Sequence, residues 1–139
     1  MKSKLLKNSL QQISTEKEEN FSLLGIISPK PIYKLAYLLN QNLNFDFKLL
    51  NDEHLNYAIP NLTTLYTAHY IIDWYLFANT FPKKNKKIKD FDYFLIGFPK
   101  LEDNQIQPFL KQVNSINEIT ISAIIEHRKE IVELFSSIL

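Results

Sequence analysis

Residues 83–99 read KKNKKIKDFDYFLIGFP, and the change of character within this stretch decides the fold class. Lys83, Lys84, Lys86, Lys87 and Lys89 place five lysines within seven residues. Past Asp90-Phe91-Asp92 the chain becomes a bulky apolar run, Tyr93-Phe94-Leu95-Ile96, closed by Gly97 and Pro99. A short apolar run of aromatic and β-branched residues between turn signals predicts a buried strand. The ammonium groups ahead of it cannot be buried unpaired, so they predict a solvated loop.

Upstream lies the most β-prone part of the chain, Thr63–Asn79, TTLYTAHYIIDWYLFAN. It is too long for one ordinary strand. The expectation is a hairpin, with strands near Thr63–Tyr70 and Trp74–Asn79. The turn near Ile71–Asp73 carries no Asn-Gly or Asp-Gly signal. Phe45, Phe47 and Leu49 alternate with Asp46 and Lys48, the period of a half-buried strand. Residues 51–62 read as a loop punctuated by Pro60.

Nearer the start, Phe21–Ile27 predicts a strand ended by Ser28-Pro29-Lys30-Pro31. A helix follows from about Pro31 to Asn42, with Ile32, Leu35, Ala36, Leu39 and Leu43 on one face. Asn40, Asn42 and Asn44 supply its stop where a glycine cap is missing. Residues 1–20 hold Leu5, Leu6, Leu10 and Ile13 at loose helical spacing and read as an arm, separate from one domain over 21–139. Beyond Pro99, Asp103 or Asn104 is suited to cap a short helix containing Phe109, Leu110 and Val113. Ile119, Ile121 and Ala123 against Thr120 and Ser122 predict another strand. Ile131, Leu134, Phe135 and Ile138 predict a final amphipathic helix from about His127. The order β-α-β-β-β-β-α-β-α favours an α+β domain, a mostly antiparallel sheet of five to six strands with helices on one face.

Length and composition agree with one globular domain: 139 residues, 45% apolar and 22% charged. A formal net charge of +1 removes any global bias toward nucleic acid or anionic membrane. The absence of cysteine excludes disulfides, thiolate metal sites and a thiol nucleophile. The N-terminal residues have no hydrophobic segment of the signal-peptide kind, and no span approaches the ~20 apolar residues of a membrane helix. The expected setting is cytoplasmic.

Several of these stretches resemble one family. Phe21–Ser28, Tyr33–Tyr37, Leu39-Asn40, Tyr75–Asn79 and Asp92–Leu95 are similar to the uncharacterised IPExxxDY proteins of Bacteroidetes. The resemblance spans roughly residues 21–125. The naming string survives at Asp92 and Tyr93, while its Pro-Glu pair is replaced by Lys86-Lys87. It implies a cytoplasmic domain near this length with no assigned activity and supplies no catalytic residues to carry over; Asp92 and Tyr93 themselves read as structural, the carboxylate accepting hydrogen bonds.

Chemistry has few candidates. His54, His69 and His127 show no metal-ligand spacing, and further ligands would have to come from Asp73, Asp90 or Asp92. Asp90 and Asp92 can share one face of a strand, where offsetting the adjacent lysines explains them better than acid–base work. With only Gly25 and Gly97, no phosphate loop or nucleophile elbow can be built. An enzyme is not what these residues suggest, and no cofactor or metal is expected.

Two binding readings remain. If helices cover one sheet face, some Thr63–Asn79 aromatics must face outward as an apolar patch larger than a monomer tolerates. That points to a non-catalytic protein–protein interaction module, with a second copy or another protein as partner. The alternative is RNA, with Lys83, Lys84, Lys86, Lys87 and Lys89 on phosphates and Tyr66, Tyr70, Trp74 and Tyr75 as stacking platforms.

Overall fold

The computed structural model describes residues 20–50, 64–80 and 90–125. In chain order these form β1 (Ser22–Ile27), α1 (Ile32–Leu43), β2 (Lys48–Leu49), β3 (Leu65–Tyr70), β4 (Ile72–Ala78), β5 (Tyr93–Phe98), α2 (Asp103–Asn114) and β6 (Ile121–Ile124). The strands make one six-stranded sheet in the order β2-β3-β4-β5-β1-β6. Every neighbouring pair is antiparallel, so the α+β architecture expected from the sequence is the one formed. The expected N-terminal arm, the expected loop over 51–62, the five lysines and the helix expected from about His127 lie outside the described residues.

The strand Tyr93–Phe98 takes a central place because both of its neighbours can bury apolar side chains against it. It pairs β1 through Leu24↔Leu95 and β4 through Leu76↔Leu95. Alternate residues then divide between two faces. Leu24, Ile26, Ile72, Trp74, Leu76 and Leu95 pack in one cluster with Leu35, Leu39 and Leu43 of α1 and Ile106 and Val113 of α2. Both described helices therefore lie on the same side of the sheet.

The opposite face carries Leu23, Leu65, Tyr75, Phe77, Phe94 and Ile96, all buried. This corrects the expectation of an exposed aromatic patch on the hairpin, since Tyr75 and Phe77 are 6% and 0% exposed. Phe77 and Phe94 pack ring to ring there at 5.8 Å. Burial pushes the Tyr75 hydroxyl up to about 12, and the nearby Asp73 carboxylate adds to the rise. Folding thus holds the phenol neutral, so the folded chain keeps a proton that the unfolded chain releases from about pH 10. Stability should fall as pH rises from about 10 to about 12. Tyr75→Phe should flatten the stability-versus-pH curve across that window, checked by urea denaturation at stepped alkaline pH. An unchanged slope would mean the phenol titrates alike in both states.

Local rules account for most boundaries. Pro31 occupies the N-cap of α1, and its carbonyl accepts from Lys34 and Leu35 N–H. Asn44 ends the helix in the left-handed region at φ 58°, the role that glycine usually takes. The N-cap of α2 is Glu102, ahead of the expected Asp103 or Asn104, and its N–H donates to the Gln105 side-chain oxygen at 3.1 Å. Asp103 instead places its charge in the first turn, where the helix dipole favours it.

Two expectations are corrected. The stretch Phe45–Leu49 forms only the two-residue β2, with Phe45 and Phe47 buried and Leu49 50% exposed. Phe45 leaves the strand pattern to pack edge-on against Trp74 at 5.5 Å. In β6 the expected inward phase is reversed: Ile121 is 48% exposed and Ser122 is buried. The register Ile26↔Ser122 decides this, because Ile26 faces the helices and its partner must do the same. The Ser122 hydroxyl is consequently buried with no hydrogen-bond partner. Ser122→Ala should raise stability by about 1 kcal/mol in chemical denaturation, and a loss instead would show that the hydroxyl has a partner in solution.

Asp92 and Tyr93 tie the turn after β1 to the entry of β5. The Asp92 carboxylate accepts the Ser28 N–H at 3.0 Å, and the Asp92 N–H donates to the Ile26 carbonyl at 2.9 Å. The Tyr93 hydroxyl donates to the Lys30 carbonyl. Burial, with Asp92 beside it, raises the Tyr93 hydroxyl above its ordinary pKa. Ser28 completes the knot by donating its hydroxyl to the Glu118 carbonyl at 2.6 Å.

Candidate functional site

The tip of the β3–β4 hairpin stands over one flank of α2. The chain reverses around Ile71, between the paired Tyr70 and Ile72. Ile71 sits at φ 67° and is 72% exposed. A β-branched side chain in the left-handed region is strained, by about 1–2 kcal/mol. Opposite it, Pro108 lies inside α2. Proline has no N–H, so Pro108 cannot donate to the carbonyl of Asn104, four residues earlier.

Between these two features is a cavity of about 320 Å³. Its hairpin wall is Tyr70, Ile71 and Trp74; Leu101, from the connection between β5 and α2, adjoins a helix wall of Asn104, Gln105, Pro108, Phe109 and Gln112. Trp74 forms the floor, stacked on Phe109 at 4.8 Å, with its indole N–H donated to the Tyr70 carbonyl at 3.1 Å. Phe45 closes the base, edge-on to Tyr70 at 5.7 Å and to Phe109 at 5.8 Å. None of the lining side chains carries a charge. Such a site can bury apolar surface and exchange neutral hydrogen bonds, whereas a bound ion would have no counter-charge.

Of the residues expected to bind, Tyr70 and Trp74 are brought to this cavity. Trp74 and Tyr75 are 2% and 6% exposed, so neither presents an open ring face for a nucleobase. Both side chains are part of the packed interior instead. Tyr66 is partly buried against the helix-side core. Tyr70, 41% exposed, is the most open of the four. Lys83, Lys84, Lys86, Lys87 and Lys89 lie outside the described residues. His69 is exposed and paired with Asp73 at 2.8 Å across the hairpin. Among the described residues no three histidine, aspartate or glutamate side chains gather as a metal site would require. Nor is any described helix long and apolar enough to cross a membrane.

Sequence reasoning missed Ile71 and Pro108 as site residues. The signal was present as two broken local rules: a hairpin without a turn residue, and a proline inside a helical pattern. Only the packing of α2 beside the hairpin brings the two exceptions to one cavity.

Fold and site together define a small α+β domain with an uncharged, aromatic-floored groove. No protein-family model matches the chain, and no curated protein matches it.

Proposed function

We propose that the protein is a non-catalytic protein–protein interaction module whose contact surface is the groove between the hairpin tip and α2. The observation that supports this reading is the meeting of two local costs, strained Ile71 and Pro108, at one partly apolar cavity. Exceptions to local sequence rules concentrate where a surface serves something other than stability. The partner is another protein or a second copy of the chain, which would form a homodimer. The likeness to the IPExxxDY proteins is part of the same proposal; two of the segments that carry it, around Ser28 and Asp92, are hydrogen-bonded to each other.

The test separates stability from binding. Ile71→Asn places a residue tolerant of the left-handed region in the turn and should raise stability by about 1 kcal/mol. It also removes the exposed aliphatic side chain from the groove. A partner recovered from native lysate by the wild type, or a dimer mass measured in solution, should be lost in this variant although it is better folded. Equal retention by both would put the contact elsewhere and end the reading.

A further inference from the structure

We propose that the sheet face opposite α1 and α2 is the docking surface for the chain's own C-terminal segment, residues 126–139, laid across the strands as an amphipathic helix. This goes beyond the groove reading and is independent of it, since Trp74 and α2 pack on the other side of the sheet.

The face is buried in a definite pattern. Strand register lines up two rows of residues across it. One runs Leu65, Phe77, Phe94 and Gly25. The other runs Tyr75, Ile96 and Leu23 and continues to Ile125, whose N–H donates to the Leu23 carbonyl. Every side chain in the two rows is at most 7% exposed, and none belongs to the cluster under the helices. Burial stops at the next row on either side, where His69 and Asp73 are exposed at one margin and Ile121 at the other. The buried band therefore reaches from β3 to β6, roughly 19 Å at the ordinary strand spacing, and is two rows wide. That is the footprint of a single helix. Phe91 lies over Gly25; among the described residues no helix lies over the rest.

The path of the chain selects the segment. Ile125 is the last described residue, stands at the β6 end of the band and is buried on this face. Residues 126–139 thus leave from the band itself, and as a helix they would span about 21 Å, its full length. Ile131, Leu134, Phe135 and Ile138 give that helix one apolar stripe, with Lys129, Glu130 and Glu133 away from it. The other segments are less suited. Residues 81–89 carry five lysines, and Pro60 interrupts residues 51–63. Seven polar residues, 14–20, separate the leucines of the N-terminal arm from β1.

The chain has no cysteine, so a single introduced one can carry a nitroxide label. Placed on Ser136→Cys in the full chain, opposite the apolar stripe, the label should broaden beyond detection the amide signals of Leu65 and Phe77 at the far end of the band. It should leave the signals of Tyr33 and Tyr37, exposed on α1, sharp. Phe135→Asp should raise the binding of an apolar-surface dye several-fold, with Phe135→Leu close to the wild type; should the aspartate variant fail to fold, the label still decides. Sharp Leu65 and Phe77 signals would overturn the proposal. Broadening from a label on Asn8→Cys in place of Ser136→Cys would overturn it in favour of the N-terminal arm. Broadening in a mixture of spin-labelled and separately isotope-enriched chains would overturn it in favour of a second copy's segment.

Discussion

Gly97→Ala lowers the stability of the fold by about 2 kcal/mol, because the added methyl group has nowhere to go. A Cβ at Gly97 would stand 2.8 Å from Ile72 Cδ1, 2.8 Å from Trp74 Cζ3 and 3.0 Å from Trp74 Cη2. Trp74 is directly across the strand pair from Gly97, so its ring lies flat over the glycine. It cannot swing aside, since Phe109 stacks on it and Phe45 abuts its edge. Gly25 is tighter still. A Cβ there would meet the Phe91 ring at 2.3 Å and its Cγ at 2.5 Å, at the root of a side chain whose backbone carbonyl accepts from Asn79. Gly25→Ala should therefore cost at least as much. The decisive measurement is a double-mutant cycle in urea. Trp74→Phe shortens the ring that meets residue 97, so the two substitutions together should cost less than their sum by about 1 kcal/mol. Strict additivity would show that the ring is not what excludes the methyl group.

Asn114→Ala should have a comparable effect on stability and a second one on assembly. Ile125 N–H donates to the Leu23 carbonyl, which makes Leu24↔Ile124 a non-hydrogen-bonded pair in the ladder. Two residues earlier, Ser122 likewise turns its N–H and carbonyl away from β1. The Asn114 side chain answers both: its oxygen accepts the Ser122 N–H at 2.7 Å, and its amide nitrogen donates to the Ser122 carbonyl at 3.1 Å. At the opposite sheet edge Asn40 of α1 does the same for Phe47, at 2.7 Å and 3.2 Å. One side-chain amide from each helix thus occupies the place that the peptide of another strand would take. Removing Asn114 leaves two partly buried peptide groups unanswered, at a cost of about 2–3 kcal/mol. It also uncovers a strand edge flanked by the exposed Ile121 and Ile124, the kind of edge that pairs between molecules. Thermal melts should show the loss, and sedimentation should show assembly that grows with concentration. Asn114→Asp keeps the acceptor but sets a carboxylate against the Ser122 carbonyl, so it should cost an intermediate amount. A variant that is destabilised yet stays unassociated at every concentration would disprove the sealing role.

These two amides bear on how a homodimer, if it forms, is built. Strand addition at Ser122 or Phe47 would first have to displace an intramolecular hydrogen-bonded pair. The groove by the hairpin tip needs no such displacement, which is why the proposed contact is placed there.

Much of the fold was legible in local pattern. The apolar run Tyr93–Ile96, the Pro31 start of α1 and the asparagine stop at its end each obey a short-range rule, and each is found in the structure. The aromatic hairpin was legible too, because seventeen residues of β-prone character exceed any ordinary strand. What local pattern could not reach was side and partner. Ile121 and Ser122 exchanged their expected faces because β1 sets the register of β6. Trp74 and Tyr75, neighbours in one strand, point to opposite sides, and both faces proved to be buried. Hydrophobicity and period decided which segments become strands and helices, since those depend on residues a few positions apart. Which glycine lies beneath a ring, which turn faces which proline and which carboxylate ties down Ser28 depend on contacts that reach 64 residues along the chain, and those only the packed sheet brings about.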